Sequence, residues 1–368
     1  MTKEQTKTVL VMAGGTGGHV FPAMATARCL EDMGFAIRWL GTKAGIEADV
    51  VPKAGLDISY VNVTGLRGKG IGKLITAPLL LMRALWQSMQ IIRAVQPVAV
   101  LGMGGFVTGP AGLAAKLLGK PLVIHEQNAI AGMTNRYLAK MANAVLLAFP
   151  NAIANADKVT GNPIRQEISA LEEPETRFAK RQDEQQCRVL ILGGSLGALA
   201  LNETMPKVLQ TVAEDLPLSI IHQCGKKHAG TTEAVYTSAT KDNLDIEVKP
   251  FIDDMAAAYA WADIVICRSG ALTVSELTAV GVGAILVPFP FAVDDHQTKN
   301  AEFLANEGAG RVVQQKDIDA AQLAAELKTL LSDKEKLLAM AKAARSLARP
   351  DATQAVAEVV AQAAGGKS

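Results

Sequence analysis

The stretch from Asp263 to Glu276, Asp-Ile-Val-Ile-Cys-Arg-Ser-Gly-Ala-Leu-Thr-Val-Ser-Glu, carries residue types suited to holding an anion and a sugar. Ile264 to Cys267 predicts a short buried strand, Arg268-Ser269 a turn, and the following residues a helix that runs to Gly281. With Ser269 as the N-cap, the N–H groups of Gly270, Ala271 and Leu272 lack intrahelical partners. Free N–H groups at the positive end of a helix dipole suit a phosphate or diphosphate. Glu276 lies further along, on roughly the face of Leu272 and Thr273. A carboxylate there repels phosphate but accepts hydrogen bonds from two sugar hydroxyls. The same residues also fit a plain α/β unit with a capped helix and an exposed glutamate.

Three other groups have similar chemistry. Ala13-Gly14-Gly15-Thr16-Gly17-Gly18-His19 joins a predicted strand, Thr8 to Met12, to a helix from Val20 to Met33 that ends at Gly34. Strand, glycine turn and helix form the phosphate-binding opening of nucleotide-binding α/β folds. The spacing departs from G-x-G-x-x-G, and no acidic residue closes the next strand, Ala36 to Leu40, which disfavours a nicotinamide cofactor. His19 stands where loop becomes helix, and an imidazole titrates near working pH, so it is the candidate general base. Gly102 to Pro110 follows a strand at Val98 to Leu101, and its Gly104 and Gly105 suggest a second anion or a long ligand. His125-Glu-Gln-Asn128 ends the strand Leu122 to His125; Asn128 can donate to and accept from a sugar, whereas His125 reads as a satisfied, partly buried residue. Gln297 and Asn300, three apart near a helix start, could also read sugar hydroxyls.

The elements that must position these residues are strands alternating with helices. With 368 residues the length suggests about two to three domains. Hydrophobic content of 49% against 4% aromatic requires an aliphatic, Ala/Gly-lined core, as in parallel sheets covered by helices. A strand at Ala144 to Ala148 closes the first half, and the polar run Gln166 to Gln186 marks the boundary. The pattern then restarts: Arg188 to Leu192 leads into Gly193-Gly194-Ser195-Leu196-Gly197, giving two doubly wound domains in tandem. Ala320 to Ala344 reads as one helix, and Pro350-Asp351 opens a last one through Ala363.

Net charge of +1 gives no support to nucleic-acid binding. The scattered Cys29, Cys187, Cys224 and Cys267 read as reduced thiols. No metal-ligand cluster or Walker A sequence occurs, and Asp317-Ile-Asp319 is explained by helix capping. The polar Met1 to Lys7 leads directly into a strand, so no signal peptide is expected, and no apolar run reaches about 18 residues. Ile75 to Val95 is nonetheless more apolar than one buried helix face requires, and Arg67, Lys69 and Lys73 precede it. It reads either as a broad core-facing helix after a solvated loop or as a patch for an anionic membrane surface.

Taken in order, Gly14 to His19, Gly102 to Pro110, His125 to Asn128, Gly161-Asn-Pro163, Gly193 to Ser195 and Arg268 to Glu276 resemble the MurG family, over nearly the whole chain. These bacterial enzymes move N-acetylglucosamine from UDP-N-acetylglucosamine (UDP-GlcNAc) to undecaprenyl-linked lipid I, giving lipid II for peptidoglycan. The resemblance implies a GT-B fold: two Rossmann-like domains with a cleft between them. Residues 1–163 would form the acceptor domain, joined by a terminal helix over 350–368, and residues 164–349 the donor domain. It implies donor contacts at Thr16, Gly17, Gly18, Asn128, Arg165, Ser195, Ile252, Ala271, Leu272, Thr273, Val274, Ser275, Glu276 and Gln297. It implies acceptor contacts at Gly104 and Gly105, with His19, Glu276 and Asn128 catalytic, inversion at the anomeric carbon, and no cofactor or metal. Leu196 stands where relatives often place a glutamine. The implied location is the cytoplasmic face of the bacterial inner membrane, peripherally bound; no oligomeric state follows. A UDP-GlcNAc 2-epimerase-like isomerase and a transferase acting on another lipid acceptor remain as rivals.

Overall fold

The computed structural model describes residues 7–63, 70–194, 197–237 and 243–365, with backbone alone for 70–76. The chain divides into two compact units, Met1–Arg165 with Pro350–Ser368, and Gln166–Arg349.

In the first unit seven parallel strands form one sheet: β1 (Thr8–Met12), β2 (Ala36–Gly41), β3 (Asp57–Tyr60), β4 (Ala99–Gly102), β5 (Leu122–Glu126), β6 (Ala144–Leu147) and β7 (Lys158–Val159), in the order β3-β2-β1-β4-β5-β6-β7. Side chains alternate across the pleat, so β1 feeds two cores. Val9, Val11 and Ala13 pack with Val20, Ala23, Ala27 and Leu30 of the helix Gly17–Asp32 and with Val356, Ala357 and Val360 of the helix Ala352–Ala363. Leu10 and Met12 pack on the other face with Ala84, Ile92, Ala111 and Ala114. The last helix is thus part of this unit's core, although some 180 residues of the other unit precede it in the chain.

The second unit has six parallel strands: β8 (Cys187–Leu192), β9 (Leu218–Gln223), β10 (Leu244–Lys249), β11 (Ile264–Cys267), β12 (Gly283–Leu286) and β13 (Gly310–Val312), in the order β10-β9-β8-β11-β12-β13. In each sheet the chain leaves the first strand towards one edge and returns to the other side. The switch points are therefore β1/β4 and β8/β11, and ligands of open α/β sheets bind beyond the carboxyl ends of such strands. All the glycine turns singled out from the sequence lie at these ends.

Several elements differ from the sequence reading. The first helix begins at Gly17, three residues before Val20, because its first-turn N–H groups need no helical partners and glycine is tolerated there. The helix expected from Ile75 begins at Gly70. The strands β7 and β13, two and three residues long, were too short to show a period. The single helix over 320–344 is two, Ala320–Leu331 and Lys334–Ser346, because the Asp333 side chain accepts from Lys336 N and caps a new start. The core-facing reading of the helix Gly70–Val95 holds only for part of it: Ala84 and Ile92 are buried, while Leu79, Leu80, Leu81, Met82 and Trp86 are exposed. Arg67 and Lys69 lie outside the described residues, as does the side chain of Lys73.

Candidate active site

At the β8/β11 switch point, β11 leads through Arg268, Ser269 and Gly270 into the helix Ala271–Val280. The N-cap is Gly270, in extended conformation, not Ser269. Val274 N makes the first intrahelical bond, to Gly270 O at 3.0 Å, so the unpartnered helix N–H groups are those of Ala271, Leu272 and Thr273. Ser269 is fully buried instead; its carbonyl accepts from Asn300 Nδ2 at 3.2 Å, and its Oγ has no protein partner. Asn300 is thereby committed to the turn rather than presented to a sugar. Arg268 ties down the same turn: it donates to the carbonyls of Val287 and Pro288 and to Gln315 Oε1, and lies over the Phe289 ring. Burial lowers its pKa from the ordinary arginine value.

Glu276 is not the exposed glutamate of the plain reading. It is 4% exposed, and its Oε2 accepts from the Tyr259 hydroxyl at 3.0 Å. A buried carboxylate held by a phenol is pre-oriented, because rotating it would break that bond. Leu272, Thr273 and Ser275 are half-buried, whereas Ala271 and Val274 are packed in the interior. Val274, with its N–H also spent in the helix, supports this segment rather than facing a ligand. Gln297 Oε1 accepts from Phe289 N at 2.9 Å, and Ile252 is buried just beyond β10. Of the glycine turn after β8, Ser195 and Leu196 lie outside the described residues. Behind that turn, Asn202 Nδ2 donates to Cys224 O, which fixes its Oδ1 as the acceptor facing His222 Nε2 at 3.1 Å. His222 Nδ1 then accepts from Tyr236 OH at 2.9 Å, and burial lowers the ring's pKa to about 3.

At the β1/β4 switch point the two glycine turns of the first unit touch. A Cβ on Gly105 (φ +87°) would collide with the Gly14 carbonyl oxygen, so only glycine allows this approach. A Cβ on Gly104 (φ +96°) would lie 2.6 Å from His19 Cδ2 and 3.0 Å from its Nε2, so the His19 ring rests on Gly104. His19 Nδ1 is 3.4 Å from Thr16 Oγ1. Gly17 and Gly18 fill the first helical turn beside them. Glu47, at the start of the helix Glu47–Lys53, escaped the sequence reading, which looked for an acid at the end of β2. It is fully buried, with Oε2 accepting from Gly15 N at 2.9 Å and Oε1 from Thr42 N and Thr42 Oγ1 at 2.9 and 2.7 Å. The signal was a glutamate five residues after a strand-ending Gly-Thr, close enough in sequence to fold back on the turn.

Glu126 was also passed over in favour of its neighbours. Its Oε1 accepts from Asn128 N and Nδ2, and its Oε2 from Gly132 N and Asn135 Nδ2. Four donors stabilise this buried carboxylate and hold the turn after β5. One amide hydrogen of Asn128 is thus used internally. His125, fully buried rather than partly, bonds Gly161 O through Nε2 at 2.9 Å, and burial lowers its pKa to about 4. A carbonyl only accepts, so Nε2 carries a hydrogen, and burial disfavours a second one on Nδ1. Arg165, two residues past Pro163, is half-buried. Among the described residues, no group of three or more His, Cys, Asp or Glu side chains is arranged to hold a metal ion.

Two parallel doubly wound sheets, each with glycine turns at its switch point, are the architecture of the GT-B type of fold. The chain belongs to glycosyltransferase family 28: residues 9–147 match its N-terminal domain and residues 188–356 its C-terminal domain. It is 54% identical, over 97% of its length and 99% of the relative's, to the UDP-N-acetylglucosamine--N-acetylmuramyl-(pentapeptide) pyrophosphoryl-undecaprenol N-acetylglucosamine transferase of Stutzerimonas stutzeri. A Burkholderia pseudomallei protein of the same name is 52% identical over 99% of this chain and 98% of its own. The crystal structure of Acinetobacter baumannii MurG superposes with a TM-score of 0.85 at 42% identity, covering 97% of this chain and 99% of that one.

Proposed function

We propose that this chain transfers N-acetylglucosamine from UDP-GlcNAc to the muramoyl sugar of lipid I, forming lipid II for peptidoglycan. The near full-length identity to relatives named for that transfer carries the reading. The acceptor hydroxyl, O4 by family resemblance, attacks the anomeric carbon; the bond to the diphosphate breaks, UDP leaves with the electron pair, and the configuration inverts. The hydroxyl's proton passes to a base.

In the second unit, the N–H groups of Ala271, Leu272 and Thr273 receive the donor diphosphate, whose charge grows as it leaves. Ser195 adds to that stabilisation. Glu276, steadied by Tyr259, holds the ribose hydroxyls, and the backbone at Ile252 meets the base. Gln297 and Ser275 contact the donor near the same helix. In the first unit, His19 is the base, and Thr16, Gly17, Gly18, Asn128, Gly104 and Gly105 shape its surroundings.

The chain acts from the cytoplasmic face of the inner membrane as a peripheral protein. Exposed Leu79, Leu80, Leu81, Met82 and Trp86 on one helix support contact with a lipid surface, and no helix among the described residues is long and apolar enough to cross a membrane. Incubation with labelled UDP-GlcNAc and a short-chain lipid I analogue tests the whole reading. Label in the lipid product supports it, whereas donor consumed without acceptor points to the epimerase alternative.

A further inference from the structure

Gln127 lies between two residues already given roles, Glu126 and Asn128, yet nothing above uses it. It is 1% exposed. Its Nε2 donates to Met103 O at 2.8 Å, and because a carbonyl can only accept, the amide cannot be flipped. The other atom, Oε1, is buried and has no hydrogen-bond partner. Leaving a buried acceptor unsatisfied is costly, and native proteins do so mainly where something else completes the bond.

Its position puts that oxygen beside His19. The point where a Gly104 Cβ would stand is 3.3 Å from Gln127 Oε1 and 3.0 Å from His19 Nε2. The unpartnered oxygen therefore borders the same backbone position as the ring of the proposed base. The neighbouring Gly105 faces the Gly14 carbonyl oxygen. A buried oxygen without a partner favours a ligand group that brings a hydrogen-bond donor.

We propose that Gln127 is a specificity-determining residue whose Oε1 accepts a hydrogen bond from a hydroxyl or acetamido N–H of the acceptor sugar beside His19. The inference rests on the transfer proposed above. A site that hydrogen-bonds a substrate group rejects an analogue lacking it, because its own buried atom is then left unpaired.

The test compares wild type, Gln127→Met and Gln127→Glu with an intact short-chain lipid I analogue and with analogues lacking, in turn, the C6 hydroxyl or the acetamido N–H. Thermal unfolding is followed for each protein. Methionine keeps the volume but removes both the acceptor and the donor to Met103 O, so kcat/KM for the intact acceptor should fall about 10-fold or more, with the UDP-GlcNAc KM unchanged. Wild type should lose a similar factor with one of the two analogues, and Gln127→Met should lose nothing further with it. Gln127→Glu, whose carboxyl keeps the bond to Met103 O when protonated and so retains an oxygen in place, should still prefer the intact acceptor when assayed at mildly acidic pH; equal use of all three acceptors by this variant overturns the inference even if the methionine variant is unstable. A wild type that transfers, matched by a Gln127→Met that transfers equally well, overturns the inference alone. A wild type that transfers nothing overturns the proposed function and the inference with it.

Discussion

Tyr259 donates its hydroxyl hydrogen to Glu276 Oε2 at 3.0 Å, and both residues are buried. A carboxylate in the second turn of the helix is thus held in one orientation before any ligand arrives. Pre-orientation of this kind reduces the freedom lost on binding. Glu276→Ala is expected to raise the UDP-GlcNAc KM most, and Tyr259→Phe to raise it about 10-fold, the scale of one hydrogen bond to a charged group. Steady-state kinetics with varied donor checks both, and unchanged donor KM in the two variants would remove Glu276 from ribose binding.

His19→Ala is expected to lower turnover by about 100-fold or more, the usual scale for losing a general base. Near-normal turnover would take His19 out of that role.

Gly104→Ala is expected to act on the same step without touching the donor. The new methyl would lie 2.6 Å from His19 Cδ2, at a backbone φ of +96° that alanine tolerates poorly. Turnover should drop at least about 10-fold, as a ring displaced by a fraction of an ångström loses alignment. Donor KM should stay put; a donor effect as large as the turnover effect would contradict the placement.

Glu47→Ala removes a fully buried carboxylate that accepts from Gly15 N, Thr42 N and Thr42 Oγ1, donors that are themselves exposed or half-buried. Hydrogen bonds to a charged group contribute about 1.5–3 kcal/mol each, and water can take over part of these exposed and half-buried donors, so a loss of about 2 kcal/mol follows. Urea unfolding of the full chain, followed through emission from the buried Trp39 on the neighbouring strand, measures it. An unchanged midpoint would mean that the turn does not depend on this carboxylate.

His125 and His222 are held neutral, with pKa values of about 4 and about 3 against 6.5 for a free ring. Below 6.5 the unfolded chain binds protons that the folded chain does not, so the stability these rings confer is complete above pH 6.5 and declines as pH falls towards the folded values. Each steepens the loss by at most about 1 kcal/mol per pH unit, and by less near either pKa. His125→Gln should make the acid limb of unfolding midpoint against pH shallower; an unaltered limb would show that His125 is not coupled to folding.

Much of the fold could be read in advance because its causes are local. A strand buried on both faces needs an unbroken apolar run, as in Ile264 to Cys267, and a turn that passes close to other backbone needs glycine, as at Gly104 and Gly105. Cap positions were less legible. Ser269 has the side chain of an N-cap, but the interior takes that side chain and the cap falls to Gly270. Asp333 capped a helix start that an Ala/Leu/Lys-rich window concealed.

By itself the sequence determined that this chain forms two doubly wound parallel-sheet domains with glycine turns at the strand ends, and that it belongs with sugar-nucleotide transferases, since strand period, turn chemistry and motif order are carried by neighbouring residues. Only the tertiary structure decided which polar groups remain available. Glu47 reaches Gly15 across 32 positions, Tyr259 meets Glu276 across 17, and Met103 takes one side of the Gln127 amide and leaves the other bare. Whether a buried polar atom has a partner depends on atoms that packing brings together from distant parts of the chain, and no local pattern records that.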